Sequence, residues 1–310
     1  MKIVILDGYV VNPGDISWDC IASLGDMTCY DRTAPSDYVK RIGDAEILLV
    51  SDCPVSRETI SQCSNLKFIG TLSTGFNHID VDYARQRGIA VCNVPAYAAE
   101  PVSQHTFALI LEIANNIGDY NRQIKEGRWY ESPDPVFIDK ALCSLAHRSL
   151  GIIGYGAIGR KVGEIAKAFG MELNIYDAFA DEYKNNLDAA IGSDFVTLHC
   201  PATSDNQGMV NKDFIGRMKD GAVLINAARG VLVNETDLAD ALISGKLAAA
   251  GLDVLSVEPP RKPNPLIPLP NCYLTPHIAW ATKEARTLVA ETSAMNIKSF
   301  LLGEKLNRVD

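Results

Sequence analysis

A glycine-rich turn near the middle of the chain limits what the sequence can fold into more than any other feature. The residues GYGAIG at 154–159 follow an apolar run at 150–153 and precede the helix-like stretch KVGEIAKAF. In this setting one glycine permits a tight turn, the next lets the backbone approach a pyrophosphate, and the third allows close contact between helix and strand. The helix N-terminus adds free N–H groups and a partial positive charge. The sequence therefore predicts a dinucleotide-binding turn formed by Gly154, Gly156, Ala157, Ile158 and Gly159.

Asp177 strengthens this prediction. It ends the next apolar run, eighteen residues after Gly159, where a carboxylate would accept hydrogen bonds from the hydroxyls of an adenosine ribose. The residues at 178–181 include no Arg or Lys that could meet a ribose 2′-phosphate. NAD is therefore favoured over NADP as the cofactor. The alternative is a glycine-rich turn that only packs a helix.

Short apolar runs rich in β-branched residues alternate with helix-like stretches along the chain. They begin at residues 2, 46, 67 and 90, and then at 151, 172, 194, 222, 249 and 272. Alternation of strands and helices is typical of parallel sheets with helices on both faces, and six strands form a doubly wound dinucleotide-binding sheet. We therefore expect an α/β fold with two doubly wound parallel-sheet domains.

Two longer helical patterns mark the boundaries between these domains. One opens at Glu100-Pro101, and its apolar residues are dense enough to be buried on more than one side, as at a domain or subunit junction. The other occupies the C-terminal tail, where Gly303 stands at the position of a C-terminal cap. A chain of 310 residues is long enough for about two domains. We place their boundaries near residues 98 and 280.

Charge and cysteine content disfavour several classes of partner. The chain has 29 Lys and Arg against 38 Asp and Glu, a net charge of −9, so it offers no broad positive field to nucleic acid or an anionic membrane. The sequence contains no uninterrupted run of about 18 apolar residues, so it gives no support for a membrane span. The eight cysteines form no CxxC pair and no close His/Cys spacing typical of a metal site. We expect a cytoplasmic protein with free thiols, no metal and a small-molecule partner.

Three ionisable side chains follow successive strand candidates of the second series. They are Arg229, Glu258 and His277. In a parallel sheet all three fall at the carboxyl edge, where open α/β folds bind ligands. A histidine can exchange a proton with a substrate hydroxyl, a neighbouring carboxylate raises its pKa, and an arginine fork can bind a carboxylate. Each side chain singly has a structural explanation, but the combination after a nucleotide-binding turn predicts a catalytic triad.

Six separated blocks, in order, closely resemble the D-isomer-specific 2-hydroxyacid dehydrogenases. The blocks are STGFNHIDVDYA (73–84), GIIGYGAIG (151–159), LHCPAT (198–203), INAARG (225–230), GLDVLSVEP (251–259) and LTPHIAW (274–280). The resemblance spans nearly the whole chain, and the Arg, Glu and His of that family's active site match the three side chains above. We expect a Rossmann coenzyme domain, residues 99–279, inserted into a flavodoxin-like substrate domain made of residues 1–98 and 280–310.

The same resemblance implies further binding residues. These are Asp253 for the nicotinamide carboxamide, Ala227 and Arg229 for nearby coenzyme contacts, His199 and Pro201 for the border of the coenzyme, and Ser73, Thr74 and Gly75 for the substrate carboxylate. The alternatives are an ordinary glycine turn at 73–75 and strand-end packing at 199–201. His78, His105 and His147 lack such a setting, and we interpret them as structural.

Two features are most similar to the glycerate dehydrogenase and hydroxypyruvate reductase branch of the family, namely Trp280 and the run at 93–112. Trp280 either shapes the substrate pocket or packs under the final helix. Glu258 argues against formate chemistry, and 310 residues leave no room for the regulatory domain of longer phosphoglycerate enzymes. We expect a small polar 2-oxo acid, hydroxypyruvate or glyoxylate, which would be reduced to D-glycerate or glycolate.

Two alternatives stay open. One is a D-3-phosphoglycerate dehydrogenase, which would require a cationic pocket for the phosphate. The other is an NAD(H)-sensing, corepressor-like binding protein, because transcriptional corepressors share the fold and the triad; turnover of a 2-oxo acid would exclude it. The resemblance also implies a homodimer, formed through the helical region after residue 99.

Overall fold

The computed structural model describes residues 1–310, and the chain divides into two compact units. The first unit combines Met1–Tyr97 with Ala281–Asp310, and the second is the continuous segment Ala98–Trp280. Each unit is built on one fully parallel sheet, which confirms the predicted α/β fold with two parallel-sheet domains. None of the helices combines the length and the apolar composition needed to cross a bilayer.

Eleven strands and eleven α-helices make up the two units. The strands are β1 (Lys2–Ile5), β2 (Asp26–Cys29), β3 (Ile47–Val50), β4 (Phe68–Thr71), β5 (Ala90–Cys92), β6 (Ser149–Ile153), β7 (Glu172–Tyr176), β8 (Phe195–Leu198), β9 (Ala222–Asn226), β10 (Leu247–Leu252) and β11 (Cys272–Leu274). The α-helices are α1 (Asp19–Ala22), α2 (Tyr38–Ile42), α3 (Arg57–Gln62), α4 (Val81–Gln86), α5 (Ala99–Asn115), α6 (Ile117–Lys125), α7 (Ala157–Ala168), α8 (Leu187–Ile191), α9 (Lys212–Arg217), α10 (Glu235–Ile243) and α11 (Lys283–Leu301).

The sheet of the first unit has the strand order β2-β1-β3-β4-β5, and every neighbouring pair is parallel. This is the flavodoxin-like order that the family resemblance implies. Strands β3 and β4 are buried along their whole length, as is usual for the central strands of a parallel sheet. The loop after β4, at the carboxyl edge of this sheet, contains Ser73, Thr74 and Gly75.

Strand β2 is the one strand that the hydrophobic pattern does not predict. Its four residues, Asp-Met-Thr-Cys, are exposed or half-buried and contain no apolar run. The strand lies at the edge of the sheet and pairs only with β1. Backbone hydrogen bonds to a single neighbour hold an edge strand, so it needs less apolar surface than a central strand and leaves a weaker sequence pattern.

The C-terminal helix α11 belongs to the first unit. The Thr282 side chain caps its first turn by accepting a hydrogen bond from the Ala285 N–H at 3.3 Å, and Gly303 follows its last turn with φ +76°. The tail then returns to the sheet, where the Val309 N–H donates to the Val91 carbonyl at 2.9 Å. The tail is therefore fixed to β5, a long-range pairing that the helical pattern does not reveal.

The sheet of the second unit has the order β11-β10-β9-β8-β6-β7, again with every pair parallel. From β6 the chain moves outward to β7 and then returns across β6 to β8. The strand order therefore reverses beside β6, and open α/β sheets bind ligands beyond the carboxyl ends of the strands at such a point. The glycine turn leaves β6 at this position.

Alternate residues of the second sheet face two separate apolar cores. In β9, Leu224 lies in a core with residues of α8, α9 and α10, whereas Val223 and Ile225 lie in a core with residues of α5 and α7. A Cβ on Gly251 of β10 would lie 3.1 Å from the Cβ of Leu109 in α5. Helix α5 therefore packs directly on the sheet, which explains its dense apolar sequence.

The predicted helix that opens near Glu100 is interrupted at Asn116. Asn116 has the left-handed conformation, with φ +50°, and separates α5 from α6. Its side chain is buried, and its Oδ1 atom accepts a hydrogen bond from the Tyr273 hydroxyl at 3.1 Å. Asparagine tolerates this conformation better than most residues, so Asn116 ends α5 and redirects the chain.

Candidate active site

The turn after β6 has the geometry that its three glycines predict. Gly154 has φ +96°, and a Cβ there would lie 2.5 Å from the Cys200 backbone nitrogen. A Cβ on Gly159 would lie 2.2 Å from the Gly154 oxygen, whereas a Cβ on Gly156 would meet nothing within 4 Å. Gly154 therefore permits the turn, Gly159 lets α7 pack against it, and Gly156 leaves open space at the start of the helix.

The first turn of α7 presents free hydrogen-bond donors. The N–H groups of Ala157, Ile158 and Gly159 have no acceptor within the chain, and the Arg160 N–H makes the first bond, to the Gly156 oxygen at 3.0 Å. Free N–H groups at a helix N-terminus and the helix dipole both favour an anion. With no side chain at Gly156 to block the approach, this turn fits the pyrophosphate of a dinucleotide.

Asp177 lies at the end of β7 and holds the glycine turn. Its Oδ2 atom accepts a hydrogen bond from the Tyr155 N–H at 2.7 Å, and Oδ1 accepts one from the Phe179 N–H at 2.9 Å. A carboxylate oxygen has two acceptor positions, so Asp177 could also receive ribose hydroxyls. Ala178 and Phe179 are exposed and uncharged, so the residues directly after it present no cation to a 2′-phosphate.

The segment after β8 lies against the same turn. The His199 N–H donates to the Ile153 carbonyl at 2.7 Å, and the ring Nε2 lies 2.9 Å from the Thr197 hydroxyl oxygen. Nδ1 is buried without a partner, and burial lowers the pKa of His199 to about 3. Pro201 is exposed, and its carbonyl accepts a bond from the Asn206 side chain at 2.8 Å. The structure thus brings a neutral His199 to the turn.

His277 and Glu258 form a direct pair. The Nδ1 atom of His277 lies 2.5 Å from Oε2 of Glu258, and Oε1 of Glu258 accepts a bond from the Leu255 N–H at 2.7 Å. The parallel pairing of β10 and β11 places the loops after both strands at the same edge of the sheet. Because Nδ1 is occupied, Nε2 is the ring nitrogen of His277 that is available for a substrate.

This contact determines the protonation of both side chains. The hydrogen bond with Glu258 raises the pKa of His277, although burial acts to lower it. Burial acts to raise the pKa of Glu258, but the hydrogen bond from His277 and the positive charge of its ring, together with the hydrogen bond from the Leu255 N–H and the charge of Arg229, leave that pKa below its usual value. The arrangement therefore favours an imidazolium beside a carboxylate.

Arg229 belongs to the same group of side chains. Its positive charge acts to lower the pKa values of both His277 and Glu258. The fully buried Asn226 holds its loop by donating a hydrogen bond from the side-chain amide to the Arg229 carbonyl at 2.9 Å. A Cβ on Gly230 would lie 1.9 Å from the backbone of the loop after β10. The loops after β9 and β10 are therefore in contact, which brings the loop of Arg229 to the loop of Glu258.

Asp253 is buried and organises the loop that carries His277. Its carboxylate accepts hydrogen bonds from the N–H groups of Ile278 and Ala279 at 2.9 and 2.8 Å, and its carbonyl accepts one from the His277 N–H at 2.8 Å. His277 has φ +56°, which is uncommon for a residue with a side chain. Asp253 thus fixes the backbone of this histidine, and its contact with a nicotinamide carboxamide stays a prediction.

Ala227 and Trp280 lie in a small apolar cluster with Val102 and Ala279. The Trp280 indole N–H donates a hydrogen bond to the His277 carbonyl at 3.1 Å. The large side chain at position 280 therefore supports the loop that presents the histidine. Ala227 follows β9 directly and lies two residues before Arg229.

The loop after β4 of the first unit is held by its own side chains. The Ser73 hydroxyl donates to the Gly75 carbonyl at 2.8 Å, the Thr74 hydroxyl donates to the Val94 carbonyl at 2.9 Å, and the Asn93 side chain donates to the Thr74 carbonyl at 2.9 Å. The N–H groups of Thr74 and Gly75 have no acceptor within the chain. This loop therefore presents two oriented donors that could receive a carboxylate.

His105, which we interpret from the sequence as structural, lies beside the loop of His277. Its Nε2 atom is 2.9 Å from the hydroxyl oxygen of Thr275, although 170 positions separate the two residues in the chain. A contact over such a separation leaves no local pattern. The only feature that could have suggested it is a polar residue within the apolar sequence of α5.

Comparison with known proteins matches one family model and many related chains. The model of the D-isomer specific 2-hydroxyacid dehydrogenase, NAD binding domain, covers residues 107–279. A hydroxypyruvate reductase of Blautia hydrogenotrophica is 44% identical over 100% of both chains. A glycerate dehydrogenase of Methylorubrum extorquens is 36% identical over 91% of this chain and 91% of its own length. The crystal structure of the TT0316 protein from Thermus thermophilus superposes with a TM-score of 0.89 at 30% identity, over 100% of both chains.

Proposed function

The chain belongs to the D-isomer-specific 2-hydroxyacid dehydrogenases, and we propose that it is an NAD-dependent reductase of hydroxypyruvate and glyoxylate, which forms D-glycerate and glycolate. The observation that carries this proposal is the 2.5 Å contact between His277 and Glu258, with the charge of Arg229 beside them. The similarity to a hydroxypyruvate reductase over the full length supports the choice of substrate.

The second unit would hold the cofactor. The residues proposed for it are Gly154, Gly156, Ala157, Ile158 and Gly159 at the pyrophosphate, Asp177 at the ribose, and His199, Pro201, Ala227 and Asp253 towards the nicotinamide. Open space at Gly156 and the free N–H groups of α7 support the first of these assignments. When bound, the nicotinamide supplies the hydride to carbon 2 of the substrate or accepts it.

His277 would move the proton. In the direction of reduction, Nε2 of the imidazolium donates its proton to the carbonyl oxygen of the 2-oxo acid; in the direction of oxidation, the neutral ring takes the proton from the hydroxyl group. Glu258 accepts from Nδ1 and stabilises the charged ring, which is why the pKa of His277 is raised. The indole N–H of Trp280 supports the backbone of His277, because it donates a hydrogen bond to the His277 carbonyl.

Arg229 would bind and polarise the substrate. A guanidinium can make two parallel hydrogen bonds to a carboxylate and stabilise negative charge on the adjacent oxygen. The Arg229 side chain is exposed, and within the chain it donates a hydrogen bond only to the Ala228 carbonyl. In the first unit, we assign the free N–H groups of Thr74 and Gly75, in the loop that begins at Ser73, to the binding of a substrate carboxylate.

A steady-state assay with NADH and a series of 2-oxo acids tests the proposal. NADH oxidation is expected with hydroxypyruvate and glyoxylate, and weaker activity with 3-phosphohydroxypyruvate. A preference for the phosphorylated acid would replace the proposal by a D-3-phosphoglycerate dehydrogenase. Binding of NADH without turnover of any 2-oxo acid would favour the corepressor-like binding protein.

The same assay with NADPH tests the choice of cofactor. The residues directly after Asp177 provide no cation for a 2′-phosphate, and the carboxylate itself repels one. We therefore expect kcat/KM to be larger with NADH than with NADPH by at least about tenfold. Equal values would contradict the assignment of Asp177 to the ribose.

We also propose that the protein is a homodimer, formed through the segment after residue 99. Seven large apolar side chains are exposed in the part of this segment that precedes β6, residues 99–148. They are Ile117, Ile124, Trp129, Tyr130, Val136, Ile138 and Leu142. Exposed apolar surface of this kind is typical of a protein interface, and the family implies a second copy of the chain as the partner.

Light scattering of the purified protein tests this assembly. A dimer should have twice the 33.7 kDa mass of one chain. Tyr130, which is 93% exposed, offers a variant: Tyr130→Glu should shift the equilibrium towards the monomer, because it places a charge on the patch. Phe179→Glu, at an aromatic residue that is 90% exposed and lies outside residues 99–148, is the control. A monomeric wild-type protein at micromolar concentration would contradict the proposal.

All eight cysteines are free thiols. Proteins of a reducing compartment keep cysteines in this state, so we propose a cytoplasmic location. Fractionation of the source cells followed by detection of the chain would test it, and recovery outside the cytoplasm would overturn it.

A further inference from the structure

A chain of hydrogen bonds connects His105 of α5 with the loop that carries His277. The Nε2 atom of His105 lies 2.9 Å from the Thr275 hydroxyl oxygen and 3.6 Å from Oδ1 of Asp253. The Thr275 hydroxyl donates to that same Oδ1 atom at 2.6 Å. All four residues belong to the second unit.

The direction of these bonds follows from the number of available protons. A threonine hydroxyl has one proton, and the hydroxyl of Thr275 gives it to Asp253. The Thr275 oxygen must therefore accept at its other contact, so Nε2 of His105 carries a proton and donates it. The network is directed from His105 through Thr275 to Asp253, and only a donor at the position of Nε2 can complete it.

Asp253 passes this restraint to the backbone of the acid–base histidine. Its side chain is 1% exposed and accepts the N–H groups of Ile278 and Ala279, while its carbonyl accepts the N–H of His277. His277 has φ +56°, and a residue with a side chain keeps such a conformation only when its surroundings impose it. Displacement of the Asp253 carboxylate would therefore release the loop at Ile278 and Ala279, the two residues directly after His277.

Helix α5 is a rigid base for this network. It has seventeen residues and packs against β9, β10 and α7. The two residues that follow His105 are Thr106 and Phe107, and both are buried in the interior of the unit. The loop after β11 has no regular secondary structure of its own, so the bond to His105 ties it to a helix that cannot shift without disturbing the core.

We propose that His105 is a positioning residue for the reaction, which acts on His277 through Thr275 and Asp253. Its effect on turnover rests on the proposed dehydrogenase function, whereas its effect on the loop does not. Without the donor at Nε2, the Thr275 hydroxyl and the Asp253 carboxylate lose their connection to α5, and the imidazole of His277 is less well placed. A misplacement of about 1 Å can slow a reaction by up to roughly a hundredfold.

Amide hydrogen exchange in the free protein tests the structural part. In His105→Ala, exchange at Ile278 and Ala279 should become about tenfold faster, while the amides of β9 and β10 keep their protection. His105→Gln retains an N–H donor near the position of Nε2 and should restore most of the protection. Gln104→Ala, at an exposed neighbour on the same helix, is the control and should match the wild type.

Steady-state kinetics test the functional part. His105→Ala should lower kcat about tenfold with NADH and hydroxypyruvate and change the KM of the acid less than threefold, because the substrate-binding arginine is untouched. Thr275→Val should reproduce this loss, and the double variant should be no worse than either single variant, since both break one chain of bonds. Thr275→Ser keeps the hydroxyl and should retain activity.

The outcomes separate this inference from the proposed function. Faster exchange at Ile278 and Ala279, rescued by His105→Gln, supports the positioning role even if no 2-oxo acid is turned over. Equal acceleration of exchange in β9 and β10 would show a general loss of stability and overturn the inference. A His105→Gln variant as defective as His105→Ala would overturn it as well, and so would strictly additive losses in the double variant.

Discussion

The imidazole Nδ1 atom of His277 lies 2.5 Å from the carboxylate of Glu258, a residue nineteen positions earlier in the chain. This contact raises the pKa of the imidazole and lowers that of the carboxyl. It also leaves Nε2 as the ring atom that can exchange a proton with a substrate. The chemistry of the site therefore depends on how firmly two loops, one after β10 and one after β11, are held together.

Replacement of Glu258 by Gln should lower the pKa of His277, because the hydrogen bond with this carboxylate is the main cause of its raised value. Reduction of a 2-oxo acid needs the imidazolium, so kcat/KM is full below the pKa of His277 and falls as the pH rises through it. In Glu258→Gln this fall should begin about one pH unit lower or more. A pH profile measures it.

The exposed residue Glu304 offers a matched control for this experiment. Glu304→Gln removes the same charge without touching the pair, and it should keep the wild-type profile. If the profile of Glu258→Gln coincided with that of the wild type, the pair would not control the protonation of His277.

His277→Ala should reduce turnover far more than cofactor affinity. Loss of a positioned acid or base costs about 10²- to 10⁴-fold in rate, whereas none of the free N–H groups at the start of α7 involves His277. Stopped-flow or steady-state rates would be compared with the dissociation constant of NADH from fluorescence titration. Near-normal turnover in this variant would reject His277 as the acid–base residue.

Arg229→Ala should chiefly weaken binding of the 2-oxo acid. A charge-assisted hydrogen bond contributes about 1.5–3 kcal/mol, so KM should rise roughly ten- to a hundredfold. The positive charge of Arg229 also acts to lower the pKa of His277. In this variant the fall of kcat/KM with rising pH should therefore occur at higher pH. Arg217→Ala, on the exposed side of α9, is the control. An unchanged KM would contradict the role.

Asp177→Ala should relax the preference for NADH over NADPH. The loss of the carboxylate removes its repulsion of a 2′-phosphate, but it also releases the N–H of Tyr155, to which Oδ2 is bonded at 2.7 Å. We therefore expect the ratio of the two kcat/KM values to fall about tenfold or more, mostly through poorer use of NADH. Both kcat/KM values would be measured with one fixed 2-oxo acid. An unaltered ratio would show that Asp177 only holds the turn and does not select the cofactor.

Gly156→Val and Gly159→Ala should separate binding from folding. A side chain at Gly156 meets open space, so the variant should unfold at nearly the wild-type temperature and yet bind NADH at least about tenfold more weakly, because the valine blocks the helix N-terminus. A Cβ at Gly159 would collide with the Gly154 carbonyl, which should cost about 1–3 kcal/mol of stability. Calorimetry and NADH titration measure both effects.

Gly216 supplies the control for these variants, because a Cβ there also meets nothing within 4 Å. Gly216→Val should leave NADH binding unchanged. Normal NADH binding by Gly156→Val would contradict the assignment of the turn to the pyrophosphate.

Local sequence patterns predict those parts of the protein whose structure is determined by a few neighbouring residues. The three glycines of the turn, the cap at Gly303 and the apolar central strands each follow from a few neighbouring residues, and each is present in the structure. The edge strand β2 lacks such a pattern, because one neighbour's backbone is enough to hold it. The break at Asn116 is similar, since its Tyr273 partner is 157 positions away.

The sequence alone was sufficient to predict Arg229, Glu258 and His277 as catalytic residues, because each follows a strand and has an ionisable side chain suited to one chemical task. Only the folded molecule decides that Nδ1 of His277 faces Glu258, that Asp253 holds three consecutive N–H groups, and that His105 reaches Thr275 across 170 positions. The physical reason is that a hydrogen bond depends on distance and direction in space. A sequence records which donors and acceptors exist, and packing of the strands and helices determines which of them meet.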